Sequence, residues 1–253
     1  RLMYELGNFL AEITGMDGVS LQPAAGAHGE LTGIRMVKAC LRARGEERKK
    51  VLVPDTAHGT NCSTSTIVSY QMVELKSNEK GIISPEKVAE QMDEDVAAIM
   101  VTNPNTLGLF EEHLSEIAEI VHRKGGFVYC DGANLNALMG IVKLGELGVD
   151  VVHINLHKTF STPHGGGGPG AGPVAIKKEL APYLPVPVIE KDRGVYRLNY
   201  DRPHSIGKMR AFYGNFGVIL KAYAYILSMG SEGLKRASEM AVLNANYLMK
   251  RLK

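Results

Sequence analysis

The sequence predicts an α/β fold, with a mainly parallel sheet and helices on both of its faces. Short apolar and β-branched runs alternate along the 253 residues with segments of helical periodicity, which is typical of such sheets. Several runs are continuously apolar, as strands covered on both faces are. The predicted strands, in chain order, span residues 51–54, 71–75, 97–102, 126–130, 150–155 and 173–176.

Helical segments lie between these strands. An amphipathic helix opens the chain, and a second helix follows residues 22–30 and ends near residue 44. Ser84 is a predicted N-cap with proline at the first helical position. Residues 111–123 place their apolar side chains on one stripe, with acids early and bases late. A last helix, 233–253, repeats the stripe from Leu234 to Leu252.

A proline-rich stretch predicts where the chain changes domain. Three prolines fall within residues 182–187 and interrupt the alternation of strands and helices. We therefore expect a large domain at 1–184, while 185–253 form an interdomain crossing and the start of an incomplete, smaller C-terminal domain. The chain also begins without an initiator methionine, so we expect a fragment at both ends.

Charge and cysteine content exclude several classes of protein. The 29 basic and 27 acidic residues are mixed along the chain and give a net charge of +2, so neither nucleic acid nor membrane is expected as a partner. The three cysteines are sparse and unevenly spaced, which favours a reducing, cytoplasmic location. No apolar run approaches the ~18 residues of a membrane span.

Polar side chains follow the predicted strands. In open α/β sheets, ligands bind beyond the carboxyl ends of the strands. Asp131 follows one strand, Lys158 follows the next, and His58 follows an earlier one. Gly26 and Gly29 precede the second helix. If the sheet is parallel, these four groups meet at one edge.

Together these groups match the needs of a pyridoxal phosphate site. The cofactor requires a lysine for a Schiff base, a role that Lys158 fits. It requires a carboxylate at its pyridine nitrogen, for which Asp131 is the candidate. A helix N-terminus that begins with glycines suits the phosphate, and His58 is placed to stack on the ring. Each residue alone has an ordinary structural interpretation, so the prediction depends on their occurrence together.

The sequence also contains features that suggest a metal site and a phosphate-binding P-loop. His153 and His157 are four residues apart and His164 follows, but no carboxylate or thiolate completes a metal-ligand set, so no metal site is predicted. The glycine run 165–170 lacks the lysine and hydroxyl of a P-loop. We interpret it as a turn beside Lys158 that leaves room for a substrate or a neighbouring subunit.

Long segments around these residues resemble a known family. Residues 155–170, which read NLHKTFSTPHGGGGPG, are similar to the lysine segment of glycine decarboxylase, the P-protein of the glycine cleavage system. Residues 20–30, 55–61 and 213–217 fit the same family. The form closest in character is subunit 2 of the split enzyme, although the N-terminal arm and complete C-terminal domain of the family are missing.

The resemblance implies a fold type I pyridoxal phosphate enzyme whose large domain binds the cofactor. It implies decarboxylation of glycine and transfer of the aminomethyl group to the lipoyl arm of the H-protein, together with a partner subunit 1. Lys158 would form the Schiff base, Asp131 would contact the pyridine nitrogen, and His58 and Ala133 would pack on the two ring faces. The remaining implied cofactor-binding residues are Ala27, His28 and His157 for the phosphate, and Thr102 and Asn103 for the ring or its 3-oxygen.

Alternatives remain open from the sequence. A different fold type I enzyme, such as another amino-acid decarboxylase or a desulfurase, would keep the same lysine, aspartate and histidine. A non-catalytic scaffold subunit and a metal-dependent hydrolase using His153 and His157 are further possibilities. The substrate-carboxylate ligand is undecided among Arg197, Arg202 and Arg210.

Overall fold

A computed structural model describes residues 1–252 and contains seven α-helices and nine strands within that range. The helices are α1 (Leu2–Thr14), α2 (Gly26–Ala43), α3 (Gly59–Ile67), α4 (Pro85–Gln91), α5 (Leu114–Arg123), α6 (Leu156–Thr159) and α7 (Phe216–Leu252). The strands are β1 (Gly18–Ser20), β2 (Lys50–Pro54), β3 (Gln71–Leu75), β4 (Val96–Thr102), β5 (Phe127–Gly132), β6 (Val151–Ile154), β7 (Val174–Ile176), β8 (Val188–Asp192) and β9 (Val195–Asn199).

Seven strands form one sheet in the order β1-β7-β6-β5-β4-β2-β3. The five strands β2 to β6 are parallel to one another, and β7 is antiparallel both to β6 and to β1. All seven residues of β4 are buried, as are all of β5 and β6. Their continuous apolar sequences follow from helices covering both faces of the sheet.

Two separate hydrophobic clusters show that both faces are covered. One face packs side chains of α2 against the sheet, with Ile34, Val37 and Leu41 fully or almost fully buried. The other face packs α1, α4, α5 and α7, represented by Leu10 and Ile219. The predicted α/β architecture, a mainly parallel sheet with helices on both faces, is therefore confirmed.

The six predicted strands all occur, with ends that differ by at most two residues. The structure adds β1, which the sequence analysis missed because three residues with a single apolar side chain carry little pattern. It also adds α3, whose sequence is rich in threonine and serine and has no clear apolar stripe.

The β8–β9 hairpin lies where the sequence predicted an extended crossing. Its turn is Arg193-Gly194, and both residues have positive φ angles of 47° and 85°. Two successive positive φ angles are what a two-residue hairpin turn of type I′ requires. The Arg193-Gly194 turn is thus a local sequence signal for a hairpin. The sequence analysis missed it because the preceding prolines suggested an extended segment.

Two predicted helix boundaries shift. The helix expected at 111–123 begins at Leu114, and the buried Glu111 carboxylate that precedes it accepts hydrogen bonds from the Ile83 amide and the Asn105 side chain, both at 2.9 Å. The last helix begins at Phe216, well before the expected residue 233, and bends at Gly230, where φ is 62°. Its predicted final residue, Lys253, lies outside the described residues.

The expected division at residue 184 stays a prediction. Helix α7, from the expected second domain, packs against α1 and α6 of the first. None of the helices within residues 1–252 is both long and apolar enough to cross a membrane.

Candidate active site

The site is organised by the register of three neighbouring parallel strands. Thr102 of β4 pairs with Asp131 of β5, and Asp131 pairs with His153 of β6. These three residues therefore lie side by side near the carboxyl edge of the sheet. Lys158 follows His153 by five residues, in α6, so it emerges at the same edge. The strand ends therefore converge at one edge of the sheet, as the sequence predicted.

Asp131 is a buried carboxylate that lacks a cationic side-chain partner of the lysine or arginine type within residues 1–252. It is 1% exposed, its Oδ1 accepts the amide hydrogen of Ala133 at 2.9 Å, and His153 Nε2 lies 3.4 Å from the same oxygen. A buried charge without a partner is costly. A protonated ring nitrogen of a ligand would supply the missing donor, and Ala133, also buried, lies directly beside it.

The N-terminus of α2 lies against the same edge. A Cβ atom added at Gly26 would stand 2.7 Å from Asn155 Oδ1 and 3.1 Å from His153 Nε2, so only glycine permits this approach. The first amides of the 18-residue helix, including those of Ala27 and His28, have no acceptor within the helix and form an anion-binding terminus.

The side chain of His28 folds back on the residues that precede α2. Its Nδ1 accepts the Ala24 amide hydrogen at 3.2 Å, which leaves the proton of a neutral ring on Nε2. Burial, and next the positive charge of Arg210, lower the pKa of His28. A hydrogen bond to the Met209 backbone opposes this lowering, and the ring is neutral near pH 7.

His58 and Thr102 are joined directly. The His58 amide donates to Thr102 Oγ1 at 2.9 Å, so the end of β2 is tied to the end of β4. The His58 ring is exposed at the N-cap of α3, where it is available to a ligand. Asn103 is buried, and its Oδ1 accepts the amide of Glu111 at 3.1 Å, which anchors the following loop.

His157 and Lys158 occupy the short helix α6. His157 Nδ1 accepts the Ala171 amide at 3.2 Å, and its ring centroid lies 4.3 Å from that of His164. Burial and then the neighbouring His164 lower the pKa of His157, which favours the neutral ring with its proton on Nε2. The Lys158 side chain is exposed, and no carboxylate within residues 1–252 forms an ion pair with it. The amine is therefore accessible.

No metal site was predicted from the histidines, and the structure changes two of the reasons considered there. His157 lies in α6 and not on a strand with His153. His153 does have carboxylate neighbours, since ligand atoms of Glu30, Asp131 and His153 lie within 4.8 Å of one another. The two carboxylates come from α2 and β5, so no local spacing in the sequence revealed them.

The three arginines left open by the sequence differ in their surroundings. Arg197 and Arg202 both approach Glu190 at 3.7 Å, in or beside the β8–β9 hairpin. Arg210 donates to Asn215 Oδ1 at 3.2 Å, and its charge acts on His28 at the start of α2. Arg210 is therefore the one of the three that lies near the anion-binding terminus.

The chain matches the family model described as glycine cleavage system P-protein over residues 2–198. It belongs to that family. Curated P-protein relatives agree: the probable glycine dehydrogenase (decarboxylating) subunit 2 of Caldanaerobacter subterraneus subsp. tengcongensis is 61% identical over the whole of this chain, and that of Halalkalibacterium halodurans is 58% identical. The chain covers 52% of each, so it spans about half the length of these relatives.

Two solved structures share the fold of this chain, and one of them is a P-protein. A crystal structure of glycine decarboxylase (P-protein) of the glycine cleavage system, in inhibitor-bound form, aligns with a TM-score of 0.75 and 25% identity over 93% of this chain and 54% of the other. Mouse CSAD aligns with a TM-score of 0.71 at 17% identity, over 99% of this chain and 55% of its own, and shows the fold alone. The predicted resemblance to subunit 2 and the fold type I architecture are confirmed.

Proposed function

We propose that this chain carries the pyridoxal phosphate site of a glycine decarboxylase, which decarboxylates glycine and transfers the aminomethyl group to the lipoyl arm of the H-protein. The observation that carries the proposal is the buried Asp131 carboxylate, which has no lysine or arginine partner within residues 1–252. It lies at the sheet edge from which Lys158 emerges and which the N-terminus of α2 approaches, in a chain of the P-protein family.

The residues present fit this cofactor. Asp131 supplies the acceptor that a protonated pyridine nitrogen needs, and the first turn of α2 supplies amides for a phosphate. The absence of a side chain at Gly26 lets the start of α2 lie close to Asn155 and His153 at the same edge of the sheet. When bound, pyridoxal phosphate supplies an electron sink for the negative charge that develops on the substrate carbon as carbon dioxide leaves.

In this proposal each residue has one task. Lys158 would hold the cofactor through its Nζ amine, the group that also carries a proton when it is not bound to the cofactor. Asp131 keeps the ring nitrogen protonated, and His153 beside it helps to fix the carboxylate. His58 and Ala133 pack on opposite faces of the ring. The phosphate is held by the amides of Ala27 and His28 and by the Nε2 proton of His157, while Thr102 and Asn103 line the ring edge that carries the 3-oxygen.

The substrates and partners belong to the same proposal. Glycine needs little space, but a lipoyl arm must reach the reacting carbon. The exposed glycines at 166–168, close in sequence to α6, leave that space free of side chains. Of the three arginines, we assign Arg210 to an anionic group of cofactor or substrate, since its charge acts on His28 in the first turn of α2. A partner subunit 1 would complete the enzyme, and three unpaired cysteines fit a cytoplasmic location.

The test is exchange of carbon between glycine and bicarbonate, measured for the chain together with its partner subunit. We expect exchange that depends on added pyridoxal phosphate and rises with lipoylated carrier. Lys158→Ala should abolish it, whereas Lys178→Ala, a matched change at an exposed lysine after β7, should not. Exchange by the Lys158 variant at the normal rate would contradict the proposal. Decarboxylation of another amino acid in preference to glycine would indicate a different fold type I enzyme.

A further inference from the structure

A chain of three polar groups leads from the exposed His58 ring into the protein. His58 Nδ1 lies 2.6 Å from Thr60 Oγ1, and that hydroxyl donates to Glu30 Oε1 at 2.5 Å. The other Glu30 oxygen accepts the hydroxyl of Thr64 at 3.1 Å. The sequence analysis gave no role to Glu30 or to either threonine, since the contacts join residues about 30 positions apart.

A carboxylate such as that of Glu30 is unusual on the face of a helix that packs against a sheet. It is 2% exposed, and its carboxylate shares a small buried space with Asp131 and His153. Burial raises the pKa of Glu30, and the hydrogen bond from Thr60 and the charge of His153 oppose that rise. A carboxylate is costly in such a place and contributes little to packing, which points to a task beyond stability.

We propose that Glu30 is a positioning residue that, through the hydroxyl of Thr60, fixes the orientation and tautomer of the His58 ring. This inference rests on the proposed function, in which His58 stacks on the cofactor ring. It adds a reason why an exposed histidine, with no packing to hold it, is set in one orientation before the cofactor binds.

The direction of the hydrogen bonds determines the tautomer. A threonine hydroxyl has one proton, and Thr60 gives it to Glu30. The contact of 2.6 Å between His58 and Thr60 is then filled only by a proton on Nδ1. The Thr60 amide is also directed at Nδ1 as a hydrogen-bond donor, at 3.3 Å, which is the N-cap contact of α3. One ring nitrogen cannot donate and accept in its plane at once, so the two contacts at Nδ1 compete. The shorter contact prevails, and His58 carries its proton on Nδ1.

The test uses the 253-residue chain without cofactor, labelled with ¹⁵N in its histidines. The ring ¹⁵N shifts of His58, assigned by comparison with His58→Gln, report which nitrogen carries the proton. Thr60→Val removes the acceptor and leaves only the amide donor, so we expect the proton to move to Nε2. Thr60→Ser keeps the hydroxyl and should restore the Nδ1 proton. Thr64→Val is the matched control, because it removes a hydroxyl from the same carboxylate without touching His58.

A second measurement follows pyridoxal phosphate binding by absorbance in the same proteins. We expect Thr60→Val to weaken binding by about tenfold, and Thr60→Ser and Thr64→Val to change it by less than about threefold. Combining Glu30→Ala with Thr60→Val should weaken binding no more than either change alone, as expected for residues that act in series.

Three results would overturn the inference: an Nε2 proton on His58 in the unmodified chain, equal tautomer shifts in the Thr60→Val and Thr64→Val proteins, or additive effects in the double variant. The tautomer is measured without cofactor and so decides the inference by itself. Failure of the unmodified chain and its partner subunit to bind pyridoxal phosphate would instead contradict the proposed function.

Discussion

Replacement of Gly172 by alanine tests how the anion-binding end of α2 is held in place. Gly172 precedes β7, and a Cβ atom there would lie 2.0 Å from the carbonyl oxygen of Ala25 and 3.0 Å from the amide nitrogen of Gly26. Close carbon–oxygen contacts in proteins are about 3.3 Å. Both facing atoms are backbone, so α2 and the start of β7 must separate by more than about 1 Å.

That displacement sets the expected magnitude. An amide hydrogen bond to phosphate of about 2.9 Å, lengthened by 1 Å, is no longer a hydrogen bond. Each bond to a charged group contributes about 1.5–3 kcal/mol, so losing one weakens pyridoxal phosphate binding by about 10- to 150-fold. The overpacking itself should lower the free energy of unfolding by about 1–3 kcal/mol.

Cofactor affinity is measured by absorbance titration, and the free energy of unfolding by urea denaturation. Gly217→Ala is the matched control, because Gly217 is exposed in α7 and its added Cβ meets nothing within 4 Å. It should bind the cofactor normally and be as stable as the original or slightly more so. A Gly172→Ala protein that is destabilised but binds pyridoxal phosphate with unchanged affinity would refute the assignment of the phosphate to α2.

Three further predictions concern charge and packing. Asp131→Asn should weaken pyridoxal phosphate binding by at least about tenfold while changing the free energy of unfolding by less than about 1 kcal/mol, because it removes a buried charge that has no lysine or arginine partner within residues 1–252; unchanged affinity would contradict its role. The hydrogen bond to Asp150 raises the pKa of His122, so its stabilising contribution is complete below the unfolded value of 6.5 and is lost as pH rises through the higher folded value; urea denaturation from pH 6 to 9 should show this loss, and His122→Gln should lack it. Ile99→Ala, at a fully buried position of β4, should cost about 2–5 kcal/mol of unfolding free energy, and Ile67→Ala, at a 68% exposed position, less than about 0.5; equal losses would be inconsistent with the described core.

The strand ends could be predicted because their signals are local. A buried parallel strand is a short apolar run, and the polar residue after it must lie at the carboxyl edge of the sheet. This reasoning placed Asp131 beside the strand that leads to Lys158, and it placed His58 at the same edge. Thr102 was named from the family resemblance, and the structure joins it to His58 by a hydrogen bond.

The polar network behind the site could not be predicted, because its contacts are set by tertiary packing. Glu30 precedes Asp131 by about 100 residues, and only the docking of α2 on the sheet brings their carboxylates together. His153 was considered for a metal, but its neighbours Glu30 and Asp131 come from other elements. The glycines of residues 22–30 indicate a helix start, but nothing in the local sequence assigns a role to Glu30.

Helix α7 shows a second limit of sequence patterns. The apolar stripe identifies which face of the helix is made for packing, but it does not show how much of that face is covered. Leu234 is 5% exposed, whereas Leu248 is 58% and Leu252 79% exposed. The stripe therefore continues beyond the part that packs on residues of this chain.

The central claim is that Lys158 holds pyridoxal phosphate, and peptide mapping after borohydride reduction tests it most directly. The chain is incubated with pyridoxal phosphate, reduced, digested, and analysed by mass spectrometry. We predict one reduced phosphopyridoxyl group, on the peptide that contains residues 155–160, and none there in the Lys158→Ala protein. A group attached mainly to another lysine, or an unchanged yield in the variant, would contradict the account.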